Sequence, residues 1–395
     1  MTPETEDSAA PSSGAYAKLV TGRFDEAMVQ EAAAGAPKRL GGKATIAFLF
    51  VSCDYEESLR DLTELVQIHA HCPLVVGSSA GGFLGVGQEV EGESGFSLLV
   101  LRLPRAEVCA IELPAEAGGA AWSKAKSWNR ECTGWILLGN PVHLGEDWMV
   151  DWNEAVGLTP TYGGLASGSF RGEDLFVFTE RGVSDVAAIA VGFRGGVKIC
   201  GLVSQGCRPI GEPLTITKTE ENLIHRLASQ SAYEQLQAAY HSLPENLRER
   251  AQGNILVGLA MSEYVEDFDT GDFLVRSILG GDPNNGVLAV GALPRVGQTL
   301  QFQLRDSEAA HEELAEILQH KRSELARSPF ATLLFSCAGR GQQLFGTAHH
   351  DAGLFEETFG AMPLSGYFCN GEIGTVGGKA FLHGFTAVGA MLVEA

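Results

Sequence analysis

Short apolar runs alternate with amphipathic stretches along this chain, and one such unit occurs three times. Each copy begins with a strand-like run, and the three runs are KATIAFLFVSC (43–53), TGWILLGNP (133–141) and ATLLFSCAG (331–339). An amphipathic stretch, a proline and a glycine-rich turn follow in each copy: PLVVGSSAGG (73–82), PTYGGLASGS (160–169) and PLSGYFCNGE (363–372). A further strand-like run closes the unit. Because the order is the same each time, the pattern predicts equivalent strand–helix–strand elements with their glycine turns in equivalent places.

The segments between these units predict further elements. Apolar residues at spacings of three and four predict amphipathic helices over 55–70 and 307–327. Residues 223–252 are also helical in pattern, with a break at Pro244. Four strand candidates fill 254–305, and we interpret them as a fourth, degenerate unit that lacks its helix.

The order of these elements predicts the fold class. Strand–helix–strand favours a parallel pair, whereas the short connections that follow favour antiparallel pairing. We therefore expect an α/β fold with α+β character, made of two fused halves of repeated units with mixed β-sheets and helices packed on them. A chain of 395 residues is also too long for one ordinary core. We predict a disordered lead at 1–14, an N-terminal domain at 15–206 and a C-terminal domain at 207–395.

Charge and cysteine content exclude several classes of protein. The 28 basic and 49 acidic residues give a net charge of −21, which repels nucleic acids and anionic membranes. No apolar run reaches the roughly 18 residues that a membrane span needs. The eight cysteines stand singly, without a CxxC motif, so we expect reduced thiols and a cytoplasmic location. We find no sequence motif for a metal ion, a nucleotide or a dinucleotide, and we expect no cofactor.

Two residues could act as nucleophiles. GSSAG at 77–81 fits the G-x-S-x-G pattern, which would place Ser79 on a strand-to-helix elbow, but the glycine-rich sequence after it does not favour a helix. Cys337 ends an apolar strand, with Arg340 and His383 further along the chain. The competing interpretations are a turn whose hydroxyls bind the backbone and a small core cysteine. A hydrolase that uses Ser79 or Cys337 remains an alternative at this point.

Polar residues at strand ends and in glycine turns form the candidate ligand site. They are Ser78, Ser79, Ser167, Arg276, Arg340, Asn370, Glu372 and His383, together with Cys337 and the backbone of Gly366. Arg276 lies in an apolar strand (FLVRSIL) and needs a partner, because burying an unpaired charge is costly. Asp282 or Glu372 could neutralise it within the protein. Alternatively, Arg276 or Arg340 binds a ligand carboxylate, Glu372 binds an ammonium group, and the backbone at Cys337 and Gly366 shapes the floor.

The chain resembles the FIST family of small-ligand sensory domains. IAFLFVSCDYEESL, PLVVGSSAGG and TYGGLAS resemble its N-terminal module. FLVRSILGGDPNNGVLAVG, FSCAGRG, PLSGYFCNGEIG and HGFTAVG resemble its C-terminal one. The resemblance runs from about residue 20 to residue 395, and the paired order of the C-terminal motifs makes it fairly specific.

This resemblance implies an intracellular sensory protein that binds a small molecule such as an amino acid, without an established enzymatic activity. We see no F-box and no kinase or cyclase segment in the sequence, so we expect a stand-alone protein whose output passes through an unidentified signalling partner. A scaffold that binds another protein, with no ligand, remains a further alternative.

Overall fold

The computed structural model describes residues 12–168, 175–264, 268 and 270–395. Residues 1–11 of the predicted disordered lead lie outside this range, and so does Ser169 of the second glycine turn. Gly14, the last residue of that predicted lead, begins the first strand.

The described residues form twenty-five strands and nine α-helices. The strands are β1 Gly14–Thr21, β2 Ile46–Val51, β3 Val75–Ser79, β4 Gly82–Gly85, β5 Gln88–Glu91, β6 Gly95–Arg102, β7 Ala106–Leu113, β8 Cys132–Gly139, β9 Thr161–Leu165, β10 Val177–Thr179, β11 Gly182–Ser184, β12 Ala188–Gly195, β13 Val197–Ser204, β14 Cys207–Glu220, β15 Leu223–Leu227, β16 Gln230–Ser231, β17 Ile255–Ala260, β18 Phe273–Asp282, β19 Val287–Val290, β20 Thr299–Arg305, β21 Ala331–Cys337, β22 Leu364–Cys369, β23 Glu372–Val376, β24 Lys379–His383 and β25 Ala387–Glu394. The helices are α1 Glu26–Leu40, α2 Leu59–Ala70, α3 Gly119–Asn129, α4 Glu146–Val156, α5 Ala232–Ser242, α6 Glu245–Ala251, α7 Ser307–Glu324, α8 Gly341–Phe345 and α9 His350–Phe359.

Three six-stranded sheets confirm the repeated unit. Sheet 1 has the order β1-β6-β2-β3-β10-β11, sheet 2 the order β7-β12-β8-β9-β23-β24, and sheet 3 the order β13-β25-β21-β22-β4-β5. In each sheet one pair is parallel, namely β2 with β3, β8 with β9, and β21 with β22. These pairs are the two strands that flank the amphipathic stretch of each copy. The predicted mixed α/β fold is therefore confirmed.

Each glycine turn carries the chain from one sheet to the next. After β3 the chain crosses to sheet 3 and forms the hairpin β4–β5. After β9 it crosses to sheet 1 as β10–β11, and after β22 it crosses to sheet 2 as β23–β24. The three units thus exchange hairpins in a cycle. Because strands from both predicted halves share sheets, the division at residue 207 stays a prediction.

The three sheets face one another around a shared core, and the helices pack on their outer faces. Phe50 of sheet 1 contacts Phe335 and Tyr367 of sheet 3 in this core, with the ring centroids of Phe50 and Tyr367 4.6 Å apart. Helices α1 and α2 cover sheet 1, α3 and α4 cover sheet 2, and α7 and α9 cover sheet 3. Both faces of each central strand are buried, which explains why these strands are continuous apolar runs.

The predicted fourth unit is wrong for residues 207–305, which form a different structure. All four strand candidates are strands, but together with β14 and β15 they form a closed antiparallel barrel. The order β14-β20-β17-β18-β19-β15 returns to β14 through the β14–β15 pair. The barrel is an insertion between β13 and α7 of the third unit. The predicted helix over 223–252 is wrong at its start, because Leu223–Leu227 is strand β15 and the helices are α5 and α6.

Candidate functional site

Each of the three glycine-rich segments contains one glycine at an equivalent position, and the structure shows why a glycine is needed there. Gly77, Gly163 and Gly366 lie opposite Leu49, Leu137 and Leu334 of the neighbouring parallel strands. A Cβ atom at any of the three glycines would overlap the carbonyl oxygen of that leucine. Gly366, predicted as part of a ligand pocket, therefore first serves the close approach of two strands.

The three turns do meet, as the repeat predicts. Ser167 of the second turn accepts a hydrogen bond from the backbone N–H of Gly81 in the first turn, at 3.1 Å. The Ser167 hydroxyl also donates to the carbonyl oxygen of Phe368 in the third turn. Ser167 is buried, so a single hydroxyl joins all three turns.

The two serines of the first turn bind the backbone. The Ser79 hydroxyl oxygen accepts a hydrogen bond from the backbone N–H of Phe176 at 3.1 Å, and the Ser78 hydroxyl donates to the carbonyl oxygen of Ser79. The chain after Ser79 continues into strand β4. The strand-to-helix elbow that a hydrolase serine needs is therefore not formed, and Ser79 lacks this support as a nucleophile.

A buried ion pair fixes Arg340. Its Nε and Nη2 donate to the two carboxylate oxygens of Asp351 at 2.8 and 2.9 Å, and both side chains are 1% exposed. The Ser336 hydroxyl donates to the same carboxylate at 2.7 Å. Burial alone would raise the pKa of Asp351, but the neighbouring Arg340 guanidinium holds it well below its ordinary value. Arg340 is thus committed to a partner that the sequence analysis missed.

Glu372 and Cys337 lie side by side, Glu372 fully buried and Cys337 partly buried. One Glu372 carboxyl oxygen accepts hydrogen bonds from the Thr386 hydroxyl at 2.7 Å and from the Thr386 backbone N–H at 3.2 Å. Burial raises the pKa of Glu372 to about 8. Burial, with the Glu372 charge beside it, raises the pKa of the Cys337 thiol to about 12. Cys337 is therefore a thiol near neutral pH, the opposite of what a nucleophile requires.

Replacing Glu372 by glutamine is expected to remove a loss of stability that the wild type shows at rising pH. The pKa of this carboxyl is raised from 4.5 to about 8, so the folded state holds the proton more tightly than the unfolded chain. Its contribution is fully present below about pH 4.5 and is lost as the pH rises through about 8. Denaturant unfolding between pH 5 and 9 should show that the free energy of unfolding of the variant, relative to that of the wild type, increases as the pH rises. Exposed Glu357→Gln is the control, and an equal difference at both ends of the pH range would refute the assignment.

Asn370 and His383 both contact backbone carbonyl oxygens. Asn370 is exposed, and its backbone N–H donates to the carbonyl oxygen of Leu165. His383 is buried, and its Nε2 lies 3.2 Å from the carbonyl oxygen of Gly374. Burial lowers the pKa of His383 to about 4, so the ring is neutral at physiological pH.

Arg276 lies in a cleft between the second unit and the barrel, and its predicted partner was wrong. Glu146 at the start of α4, and neither Asp282 nor Glu372, pairs with it: Nη2 and Nε donate to Glu146 Oε1 at 2.8 and 3.2 Å. Asp282 instead binds the loop residues that follow it. Nothing in the local sequence indicated Glu146, which is 130 residues away.

The cleft around Arg276 has a volume of about 360 Å³. We call it the α4–barrel cleft, because α4 forms one wall and strands β17 and β18 with the segment after β19 form the other. Arg276 and Arg295 supply positive charge, and Glu146 and Asp147 supply negative charge. The apolar part of the lining includes Met149, Val150, Leu274, Leu293, Phe381 and Leu382. A cleft of this size with few charged groups on an apolar wall suits a small molecule.

Two other features bear on function. Within the described ranges, no three His, Cys, Asp or Glu side chains are arranged to hold a metal ion. None of the helices in that part of the chain is long and apolar enough to cross a membrane.

Comparison with known protein families agrees with this architecture. The FIST N domain matches residues 45–230, and the FIST C domain matches residues 230–375. The chain belongs to the FIST family. FIST domains are small-ligand sensory modules.

Relatives of similar length occur in mycobacteria. The uncharacterized protein Rv0628c of Mycobacterium tuberculosis is 32% identical over 366 residues, which cover 92% of this chain and 95% of that protein. The uncharacterized protein Mb0898c of Mycobacterium bovis is 30% identical over 368 residues, with the same coverage.

Two solved structures show a distant likeness to this FIST protein. A cyanuric acid hydrolase from A. caulinodans aligns with 96% of the chain and 99% of its own length, at 10% identity and a TM-score of 0.32. A chorismatase aligns with 97% of the chain and 100% of its own length, at 9% identity and the same TM-score. These values are too low to transfer an activity or a site.

Proposed function

We propose that this protein is a sensory protein that binds a small molecule such as an amino acid in the α4–barrel cleft. The observation that carries the proposal is Arg276, a guanidinium held at the wall of that cleft with 11% of its side chain exposed. An arginine in such a position can receive a carboxylate with two parallel hydrogen bonds.

The backbone holds the Arg276 guanidinium in place. Its Nη1 donates to the carbonyl oxygen of Val275 at 2.9 Å, and Nη2 donates to that of Leu382 at 2.8 Å. The remaining partner, Glu146, is 54% exposed and can rotate towards solvent at low cost. A ligand carboxylate would then take the place of the Glu146 carboxylate on an arginine that is already positioned, which limits the entropy lost on binding.

The other groups of the cleft complement the rest of an amino acid. Glu146, once displaced, and Asp147 beside it can accept hydrogen bonds from an ammonium group. Val150 and Leu293 have large exposed fractions, 57% and 70%, and can cover an apolar side chain. Carboxylate, ammonium and side chain therefore each find a complementary group within one cleft.

We place the ligand at Arg276 rather than at Arg340 and Glu372. Arg340 and Glu372 are 1% and 0% exposed, Arg340 donates to Asp351, and Glu372 accepts hydrogen bonds from Thr386. We propose that these two residues, with Cys337, hold the third unit together. The raised pKa of Cys337 and the backbone contact of Ser79 give no support to a hydrolase.

Replacing Arg276 by alanine is expected to weaken ligand binding by about 10- to 100-fold, because a charged hydrogen bond contributes about 1.5–3 kcal/mol. A thermal-shift screen with the common amino acids and small carboxylates finds the ligand first. At a hundred times its Kd, a ligand should stabilise the wild type by about 2.7 kcal/mol. Calorimetric titration of the wild type and Arg276→Ala then measures the two affinities.

The matched control for this test is Arg181→Ala. Arg181 also pairs with a glutamate, Glu112, but lies outside the α4–barrel cleft. The control should bind the ligand like the wild type. Equal affinity in Arg276→Ala and the wild type would show that the ligand binds elsewhere.

Signal output and location complete the proposal. We infer that a partner protein reads the ligand-bound state. No disulfide joins any of the cysteines in the part of the chain that the structure describes, which supports the reducing environment of the cell interior.

A further inference from the structure

A pair of histidines faces a second cleft, between the start of α7 and the segment from α8 to α9. His311 Nδ1 lies 3.0 Å from His350 Nε2. This cleft has a volume of about 250 Å³, and Glu308, Glu312 and Phe345 also line it. We call it the histidine cleft. It is separate from the α4–barrel cleft, and the proposed ligand binding makes no use of it.

His350 is held in one orientation and one tautomer. Its Nδ1 lies 3.0 Å from Asp351 Oδ1, and because an ionised carboxylate can only accept, Nδ1 carries the proton. The Phe345 ring stacks on the imidazole at a centroid distance of 3.4 Å and an interplanar angle of 8°. In the neutral ring the lone pair of His350 Nε2 then points at His311. A buried carboxylate behind a histidine is the arrangement that fixes metal-binding histidines in proteins.

We propose that His311 and His350 form a site for a transition-metal ion, Ni²⁺ or Cu²⁺, which binds His350 Nε2 and His311 Nδ1 after the proton on His311 Nδ1 has moved to Nε2 of the same ring. With metal–nitrogen distances of about 2.0–2.1 Å, two nitrogens 3.0 Å apart subtend an angle of about 90° at the metal. That angle suits the tetragonal or octahedral coordination of these ions better than a tetrahedral zinc site.

The remaining coordination positions fall to water or to a carboxylate. Glu308 and Glu312 line the same cleft and are exposed, so either side chain can turn towards a bound ion. Asp351 itself stays behind His350, since Arg340 and Ser336 bind its oxygens. A third protein ligand would move into place only when the ion binds. This agrees with the described side chains, among which no three metal-binding groups are already clustered.

Titration of the untagged protein with NiCl₂ and with CuSO₄, followed by calorimetry, tests the site. We expect one equivalent of each ion to bind tightly, and His311→Ala to weaken that binding at least tenfold. His320→Ala is the matched control: His320 lies on the same helix, is 70% exposed and contacts Glu324. It should leave the affinity unchanged. His311 is exposed, so its replacement should not unfold the protein.

Electron paramagnetic resonance of the copper complex gives an independent reading. The wild type should show hyperfine splitting from two equatorial nitrogens, and His311→Ala should show one fewer. Unchanged affinity in His311→Ala, equal loss in His320→Ala, or a copper spectrum without imidazole nitrogen would overturn the proposal.

Discussion

Replacing Asp351 by alanine is expected to lower the free energy of unfolding by about 3–5 kcal/mol. The change leaves the Arg340 guanidinium, which is 1% exposed, without the carboxylate that accepts its Nε and Nη2 hydrogen bonds. The charge can neither reach water nor be lost, since an arginine side chain stays protonated in proteins. The Ser336 hydroxyl would lose its acceptor as well. Denaturant unfolding of the variant and the wild type measures the loss.

An exposed ion pair supplies the control for that experiment. Arg250 and Glu308 are 3.6 Å apart, with 55% and 65% of their side chains exposed. Arg250→Ala should therefore cost less than about 1 kcal/mol. Should Asp351→Ala prove too unstable to purify, the double variant Arg340→Met with Asp351→Leu should recover much of the loss, because it removes both charges. If Asp351→Ala costs no more than Arg250→Ala, the buried pair does not hold the third unit together.

Replacing Gly366 by alanine is expected to destabilise the protein by about 3 kcal/mol, at the upper end of the usual cost of overpacking a core. The new Cβ atom would overlap the carbonyl oxygen of Leu334 on the neighbouring parallel strand. A backbone atom within a buried sheet cannot move aside as a side chain can, so β21 and β22 would have to separate. Gly77→Ala and Gly163→Ala should give losses of the same order, because each of these glycines meets a leucine carbonyl oxygen in the same way.

A glycine of the same unit serves as the matched control. Gly353 lies inside α9, and an added Cβ atom would meet nothing within 4 Å. Gly353→Ala should therefore stabilise the protein by about 0.5–1 kcal/mol, since alanine favours the helix. Denaturant unfolding of the four glycine variants measures these changes in the free energy of unfolding. If Gly366→Ala is as stable as Gly353→Ala, the three units do not share the close strand approach described here.

Much of the fold could be predicted from the sequence because it repeats. The three apolar runs, the helix after each and the glycine turn that follows recur in order, and local patterns of this kind reflect burial directly. The cyclic exchange of hairpins could not be predicted, since no local pattern shows which sheet a hairpin joins. The closed barrel was missed for the same reason. Leu223 and Leu227 are spaced as in a helix, yet pairing with β14 and β19 makes this segment a strand.

The candidate site was predicted less well than the fold. The sequence identified Arg276 as a charge that needs a partner, because it stands among apolar residues. Its partner Glu146 and the cleft between them depend on contacts over 130 residues. Asp351 was missed because an aspartate at the start of a helix is ordinarily explained by the helix dipole. The third glycine turn, which carries Glu372, is buried, and whether it binds a ligand stays a prediction.

The most direct test of the central claim is a crystal structure of the protein with the amino acid or carboxylate that stabilises it most. We expect the ligand in the α4–barrel cleft, with its carboxylate on the Arg276 guanidinium and the Glu146 carboxylate moved away. A ligand beside Cys337 and Glu372, or in the cleft with the Arg276–Glu146 pair intact, would contradict this account.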